Sequence, residues 1–193
     1  MIAAVVLAAG TSSRFDGLVP KQLLTLEGRP LVQHAVDTAA AAGTEPVIVV
    51  VGHLAEKVRA ALSLPAGGRI VVNPEYVSGQ AGSLRAGLAA VPADVDAAVV
   101  LLADQPHVGP EVVRKVIEEF HRSGRPIVQA QYANGAGHPV LLGRSVWPLL
   151  DDLAGDVGAR DVIAAHPELR ATADVGGPAP QDVDTREDYD RLR

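Results

Sequence analysis

The sequence predicts an α/β layer fold on a mostly parallel sheet. Three observations carry that prediction. Short continuous apolar runs recur along the chain, as expected of strands buried on both faces. Longer segments with helical spacing separate them, and small or acidic residues stand directly after the runs. In such sheets, ligands bind outside the carboxyl ends of the strands, so those residues are the ones to read for chemistry.

The first strand is Ile2 to Leu7, apolar throughout. A helix is expected from Pro30 to Ala42, because proline suits the first helical turn and Gly43 suits the stop. Val47 to Val51 reads as the second strand, Leu54 to Leu62 as a helix and Arg69 to Val72 as the third strand. Ser83 to Val91 has helical spacing that Gly87 weakens, and Ala97 to Leu102 is a fourth buried strand. Pro110 opens a helix that runs to about Arg122. Strands are expected over Ile127 to Tyr132 and Pro139 to Leu142. Helices are expected over Val146 to Leu153, Ala159 to Ala165 and Glu187 to Leu192. Thr185 with Asp188 has the spacing of a capping box for the last helix. No repeat or linker divides the chain, so residues 1–193 are read as a single domain.

Composition narrows the function. The chain carries 23 acidic and 17 basic residues, for a net charge of −6, which disfavours nucleic acid and anionic membranes as partners. Aromatics are 3%, too few for a base-stacking platform. The absence of cysteine excludes disulfides, thiolate metal sites and cysteine nucleophiles. No apolar run is long enough to span a bilayer as a helix, and the expected location is the cytoplasm.

Two strand ends stand out. After the first comes Leu7-Ala8-Ala9-Gly10-Thr11-Ser12-Ser13-Arg14, then Lys21. Small residues let backbone N–H groups approach phosphate oxygens, the hydroxyls add donors, and Arg14 and Lys21 supply local positive charge. The spacing is neither that of a Walker A loop nor G-x-G-x-x-G, and an ordinary turn can have the same composition. The fourth strand ends Leu102-Ala103-Asp104-Gln105-Pro106. An aspartate there can hold a hard cation, or cap a turn before proline. Asp182-Val183-Asp184 sets two carboxylates on one side of an extended segment, from which one could reach the same metal.

Taken together, these pieces resemble the nucleotidyltransferases of molybdenum cofactor maturation, and within them the molybdopterin cytidylyltransferase branch. The resemblance runs nearly end to end. Beside the segments above, it rests on Asn73-Pro74-Glu75-Tyr76, on Gly79 to Gly82 leading into Ser83-Leu84-Arg85-Ala86-Gly87-Leu88, on Gly137-His138-Pro139-Val140 and on Gly155 to Arg160. It implies a three-layer Rossmann-like nucleotidyltransferase fold. It also implies an enzyme that transfers CMP from CTP to the terminal phosphate of molybdopterin, with Mg²⁺ as cofactor and pyrophosphate as product.

The resemblance further implies residue roles. Arg14, Lys21 and Asp104 would carry catalysis. Ala8, Ala9, Gly10, Thr11 and Ser12 would form the triphosphate loop. Asn73 and Ser83 would lie near the base or ribose, and His138 would shape the acceptor side. Asp104 and Asp184 would hold the metal. The implied partners are a nucleoside triphosphate, a phosphorylated pterin and a recipient molybdoenzyme or its chaperone. Two departures are visible: Phe15-Asp16-Gly17 stands where the family often has Met-Gly after the loop arginine, and the stretch from Gly10 to Lys21 is longer than usual. Ala9 stands where the related guanylyltransferases carry a second glycine. Its methyl leaves less room for a purine, which favours cytosine. The alternatives are a guanylyl- or sugar-phosphate nucleotidyltransferase of the same fold, or a carrier that binds the cofactor without turnover. The six histidines show no metal-ligand spacing, Trp147 reads as packing, and Arg160 suits either acceptor phosphate or a pair with Asp156.

Overall fold

The architecture follows from how β1 (Ile2–Ala8) divides its side chains. Ala4, Val6 and Ala8 point into one core and Ala3, Val5 and Leu7 into the other, the period-2 alternation of a strand covered on both faces. The computed structural model describes residues 1–11, 15, 20–153, 155 and 158–192. Beside β1 lie β4 (Val47–Val51) and β6 (Ala97–Leu102), both parallel to it. The seven-stranded sheet has the order β5-β4-β1-β6-β8-β7-β9. β5 (Arg69–Val72) continues the parallel half. β8 (Gly135–Gly143) runs antiparallel to both β6 and β7 (Ile127–Tyr132), and β9 (Arg170–Asp174) pairs parallel with β7. Thr25–Leu26 and Arg29–Pro30 form a separate two-stranded hairpin, β2 and β3.

Helices cover both faces, giving three layers. On one face α1 (Leu31–Ala41) buries Val32, Ala35, Val36 and Ala39. α2 (Ala55–Ala60) adds Val58, and α4 (Pro110–Ser123) adds Val113 and Val116. On the other, α3 (Gln80–Ala89) buries Leu84 and Leu88, and α5 (Arg160–Ala165) buries Val162 and Ile163. Gly87, which weakens the helical reading of α3, has a packing reason. A Cβ built there would lie 2.4 Å from Val5 Cγ1 and 2.9 Å from Val50 Cγ2. The helix therefore sits against β1 and β4 at a distance only glycine permits. A third, smaller core joins Phe15, Leu26, Leu31, Val183 and Tyr189, fastening α6 (Arg186–Leu192) to the β2–β3 hairpin.

Most expected elements are present, with several differences. Pro30 belongs to β3 and precedes α1 rather than opening it. α3 begins earlier, at Gln80, because Gly79 takes the N-cap position with φ 109°. The helix expected over Val146 to Leu153 is a 3₁₀ segment, Arg144–Leu150. Pro148 lies inside it and supplies no N–H for an α-helical bond. The last strand of the sheet, β9, was not among the expected elements. Among the described residues, no helix is long and apolar enough to cross a membrane.

Candidate active site

The parallel strands deliver their carboxyl ends to one edge, where a cleft of about 720 Å³ opens. From β1 come Leu7, Ala9, Gly10 and Thr11, and from β6 Leu102, Ala103, Asp104 and Gln105. The N-terminus of α3 contributes Gly79, Gln80 and Ser83, a place where free backbone N–H groups and the helix dipole favour an anion. The far wall is Gly137, His138 and Arg160, and the C-terminal segment adds Asp182 and Asp184.

Lys21 lies at the centre of the polar part. It opens the 3₁₀ turn Lys21–Leu23, and its Nζ donates to Asp104 Oδ2 at 2.6 Å and to Asp184 Oδ1 at 2.8 Å. Burial opposes the ammonium charge, but Asp104 and Asp184 outweigh it, so the Lys21 pKa lies above the ordinary lysine value. Gln22, 2% exposed, ties this turn to the phosphate-type loop by donating from Nε2 to the Gly10 carbonyl at 3.0 Å. The longer stretch between Gly10 and Lys21 therefore still brings Lys21 to both carboxylates.

Each carboxylate has its own support. Asp104 lies just past the end of β6, after Ala103, whose N–H donates to the Leu7 carbonyl at 3.1 Å and extends the sheet pairing to the edge of the cleft. The Val183 N–H donates to the Asp104 carbonyl at 3.0 Å, which brings the C-terminal segment alongside. Val183 is fully buried and faces away from the cleft, so the residues on either side of it face in. Thr185 and Asp188 form the expected capping box: the Asp188 N–H donates to Thr185 Oγ1 at 3.2 Å, and the Thr185 N–H to Asp188 Oδ2 at 2.8 Å.

Asp182 is an addition to the expected set. Gln105 Nε2 donates to its Oδ1 at 2.6 Å. Burial raises the Asp182 carboxyl above its ordinary range, the Asp104 and Asp184 charges push the same way, and the Gln105 bond and Lys21 offset part of the rise. The Asp-x-Asp alternation contained this signal, since it turns both carboxylates the same way. Gln105 and Gln80 carried no comparable sequence signal. Among the described residues, no group of three or more His, Cys, Asp or Glu forms a metal cage.

The remaining expected residues divide. Ala9, Gly10, Thr11, Ser83 and His138 line the cleft, whereas Ala8 and Asn73 do not. Ala8 is 2% exposed and its methyl packs in the core beneath α1. Asn73, 5% exposed, stands behind the wall. Its Nδ2 donates to Ser83 Oγ at 3.0 Å and its Oδ1 accepts from the Glu75 N–H, so it positions Ser83. Ser12 and Arg14 lie outside the described residues.

His138 sits on β8 opposite β6, its Nδ1 3.4 Å from the Val100 carbonyl, while Tyr132 Oη donates to the His138 carbonyl at 2.7 Å. Burial lowers the His138 pKa from the ordinary histidine value, against the Val100 bond and the charges of Asp104 and Asp182. The ring is therefore uncharged at neutral pH. Beyond it a side pocket of about 140 Å³ runs inward between Leu84, Val100, Val140 and Ile163, rimmed by Gln80, Gln129 and Arg160. Gly158, with φ 54°, closes this rim, and a Cβ there would lie 2.8 Å from Gln80 Oε1.

The chain resembles several known proteins over nearly its whole length. It is 34% identical to the nicotine blue oxidoreductase of Paenarthrobacter nicotinovorans over 200 residues, covering 99% of this chain and 96% of that protein. Rv0371c of Mycobacterium tuberculosis H37Rv superposes with a TM-score of 0.87 at 35% identity, covering 99% of this chain and 96% of that one. A manganese complex of Rv0371c superposes with a TM-score of 0.85 at 36% identity, covering 99% and 97%. A nucleotidyl transferase of Methanothermobacter thermautotroptrophicus superposes with a TM-score of 0.79 at 27% identity, covering 100% and 96%. A family model described as the MobA-like NTP transferase domain matches residues 4–170, a span that takes in most of β1, with Lys21, Asp104 and His138. The chain belongs to this family, the MobA-like NTP transferases.

Proposed function

We propose that this nucleotidyltransferase moves CMP from CTP to the terminal phosphate of molybdopterin and releases pyrophosphate. The observation that carries the reading is the convergence of Asp104 and Asp184 on one point, Lys21 Nζ, on the floor of a cleft bordered by the Gly10–Thr11 loop and the N-terminus of α3. Such a site suits a polyphosphate: a helix N-terminus and loop amides for anionic oxygens, and a lysine for the charge between them.

Two carboxylate oxygens meeting at one point also fit a divalent cation. Mg²⁺ is commonly held by one or two carboxylates together with substrate phosphates. In this reading Asp104 and Asp184 are its protein ligands, and Mg²⁺ would polarise the α-phosphate. The manganese complex of Rv0371c supports a divalent ion in a relative of this chain.

The chemistry asks little of the protein in proton transfer. An ionised acceptor phosphate is already a nucleophile. Its oxygen forms a new bond to the α-phosphorus as the bond from that phosphorus to the α–β bridging oxygen breaks, and pyrophosphate leaves with the electron pair. The chain's own contribution is positioning and charge stabilisation. Gly10, Thr11, Ser12 and Arg14 hold the triphosphate, and Lys21 offsets charge on the phosphates. Ser83, fixed by Asn73, borders the nucleoside, while His138 and Arg160 border the acceptor. Ala9 supports cytosine. Its methyl lies 3.0 Å from where a Cβ on Gly52 would be, so this wall is already closely packed.

Thermal unfolding with CTP, GTP, ATP and UTP, with and without Mg²⁺, tests the reading. A ligand at about 100 times its Kd adds roughly 2.7 kcal/mol. At this size each kcal/mol moves Tm by about 2–4 °C. The largest magnesium-dependent shift is expected with CTP, followed by pyrophosphate release on adding molybdopterin. Ala9→Gly should narrow the CTP preference over GTP by a few-fold, about 1 kcal/mol. A GTP preference in the wild type moves the reading to guanylyl transfer.

One observation favours a second reading: the near full-length relative named nicotine blue oxidoreductase. On that reading the cleft takes a dye such as nicotine blue together with a reductant. A Tm shift with NADPH that exceeds every NTP shift, together with dye-dependent NADPH consumption, would select it.

A further inference from the structure

The Lys21 ammonium lies against the two carboxylates that, in the reading above, would hold a divalent cation. Nζ is 2.6 Å from Asp104 Oδ2 and 2.8 Å from Asp184 Oδ1, so it occupies the carboxylates that would hold the cation. Mg²⁺ holds its oxygen ligands at about 2.0–2.1 Å. A cation held by these carboxylates would lie close to the ammonium, and like charges a few ångströms apart repel strongly in a partly desolvated cleft. The Lys21 and Asp104 side chains are only 13% and 21% exposed, so water screens that repulsion incompletely.

We propose that Lys21 holds the cation's place in the nucleotide-free protein, so that the divalent ion enters with the triphosphate as Lys21 swings from the carboxylates to the phosphates. The proposal rests on the reading above, in which Asp104 and Asp184 are the metal ligands. The local construction suits such an exchange. The backbone of the Lys21 turn is fixed to the phosphate-type loop through Gln22 and the Gly10 carbonyl, so the Lys21 stem starts beside the loop that would hold the phosphates. The flexible side chain can then change partners while the turn stays in place. Without nucleotide, the Lys21 ammonium lies against Asp104 and Asp184. With nucleotide, the polyanion brings its own dication and takes the ammonium as well. Metal and triphosphate would thus bind with positive coupling, and free metal would bind weakly.

The test is Mn²⁺ binding to the full chain without nucleotide, followed by the paramagnetic resonance signal of free Mn²⁺. Lys21→Met should bind Mn²⁺ about tenfold or more tighter than the wild type, the change expected when one nearby positive charge is removed. Adding Asp104→Asn to Lys21→Met should abolish that gain. If Lys21→Met does not fold, Lys21→Gln replaces it, keeping a hydrogen-bond donor and removing only the charge. Equal Mn²⁺ affinity in wild type and the lysine variant, lost with Asp104→Asn, would overturn the exchange and leave the metal site standing. A gain that survives Asp104→Asn would place the ion elsewhere and overturn it too. Failure of every form to bind Mn²⁺, with or without CTP, would remove both the exchange and the metal reading.

Discussion

Asp104 and Asp184 reach the same ammonium from different mounts. Asp104 stands in the turn after a central strand, two residues beyond the last β1–β6 pair, and its side chain is 21% exposed. Asp184 sits on an irregular segment near the C-terminus, and its side chain is 41% exposed. The sheet holds the first through a ladder of backbone bonds. The second depends on a few tertiary contacts: Val183 in the small third core, its N–H on the Asp104 carbonyl, and the Thr185–Asp188 cap. One half of the site is a by-product of the sheet, and the other half must be brought to it.

The two mounts predict unequal losses when either carboxylate is removed. Asp104→Ala should lower pyrophosphate release by about 10³-fold or more, the scale for removing an electrostatic element of a reacting centre, with the far-ultraviolet spectrum unchanged. Asp184→Ala should lower it by about 10²-fold, because the more exposed carboxylate can be partly replaced by water. Equal losses would show that the mount is irrelevant to the chemistry.

Val183, between the two carboxylates of the C-terminal segment, is fully buried. Val183→Ala removes packing that sets the segment's place and should cost about 2 kcal/mol, near 4–8 °C in Tm. Turnover should fall about tenfold even well below Tm, as Asp182 and Asp184 lose their alignment. A stability loss with full turnover would separate the segment from the site. Tyr189→Phe is milder. Tyr189 Oη donates to the Thr25 carbonyl at 2.6 Å, and removing that bond should cost about 1 kcal/mol. Turnover should change less than twofold.

The same contrast decides what the sequence could reveal. Apolar runs and their ends gave the β1, β4, β5 and β6 half of the sheet, and with it Gly10 and Asp104. β9 stayed hidden because it is an edge strand, Arg-Ala-Thr-Ala-Asp, with polar side chains alternating on one face and no buried run. The β2–β3 hairpin has two residues in each strand, too short for any periodicity. Pro148 kept apolar spacing in a segment that could not close α-helical bonds. At the site, pattern could suggest that Asp184 joins Asp104, but only the fold shows that Lys21 lies between them. Pattern also could not tell Asn73, which braces Ser83 from behind, from a residue that faces the cleft. Both stand in a motif, and the difference is where a buried amide finds its partners.

The smallest effect expected is on the strand-borne wall, through His138. Burial lowers its pKa in the folded protein, against the Val100 carbonyl bond, Asp104 and Asp182, while Arg160 lowers it further. In the unfolded chain the ring titrates near 6.5. Between the two values the unfolded state binds the extra proton, so stability falls as pH drops below about 6.5 toward the folded value, and levels off beneath it. Above that window the ring is neutral in both states and contributes no slope. His138→Gln keeps a hydrogen-bonding side chain without the titration. Urea unfolding of both proteins from pH 8 to pH 5 should therefore give curves that run parallel above pH 7 and approach or cross below 6.5, the wild type losing more. Parallel curves down to pH 5 would mean that water reaches the ring, and that the wall carried by β6 and β8 is less closed than its packing indicates.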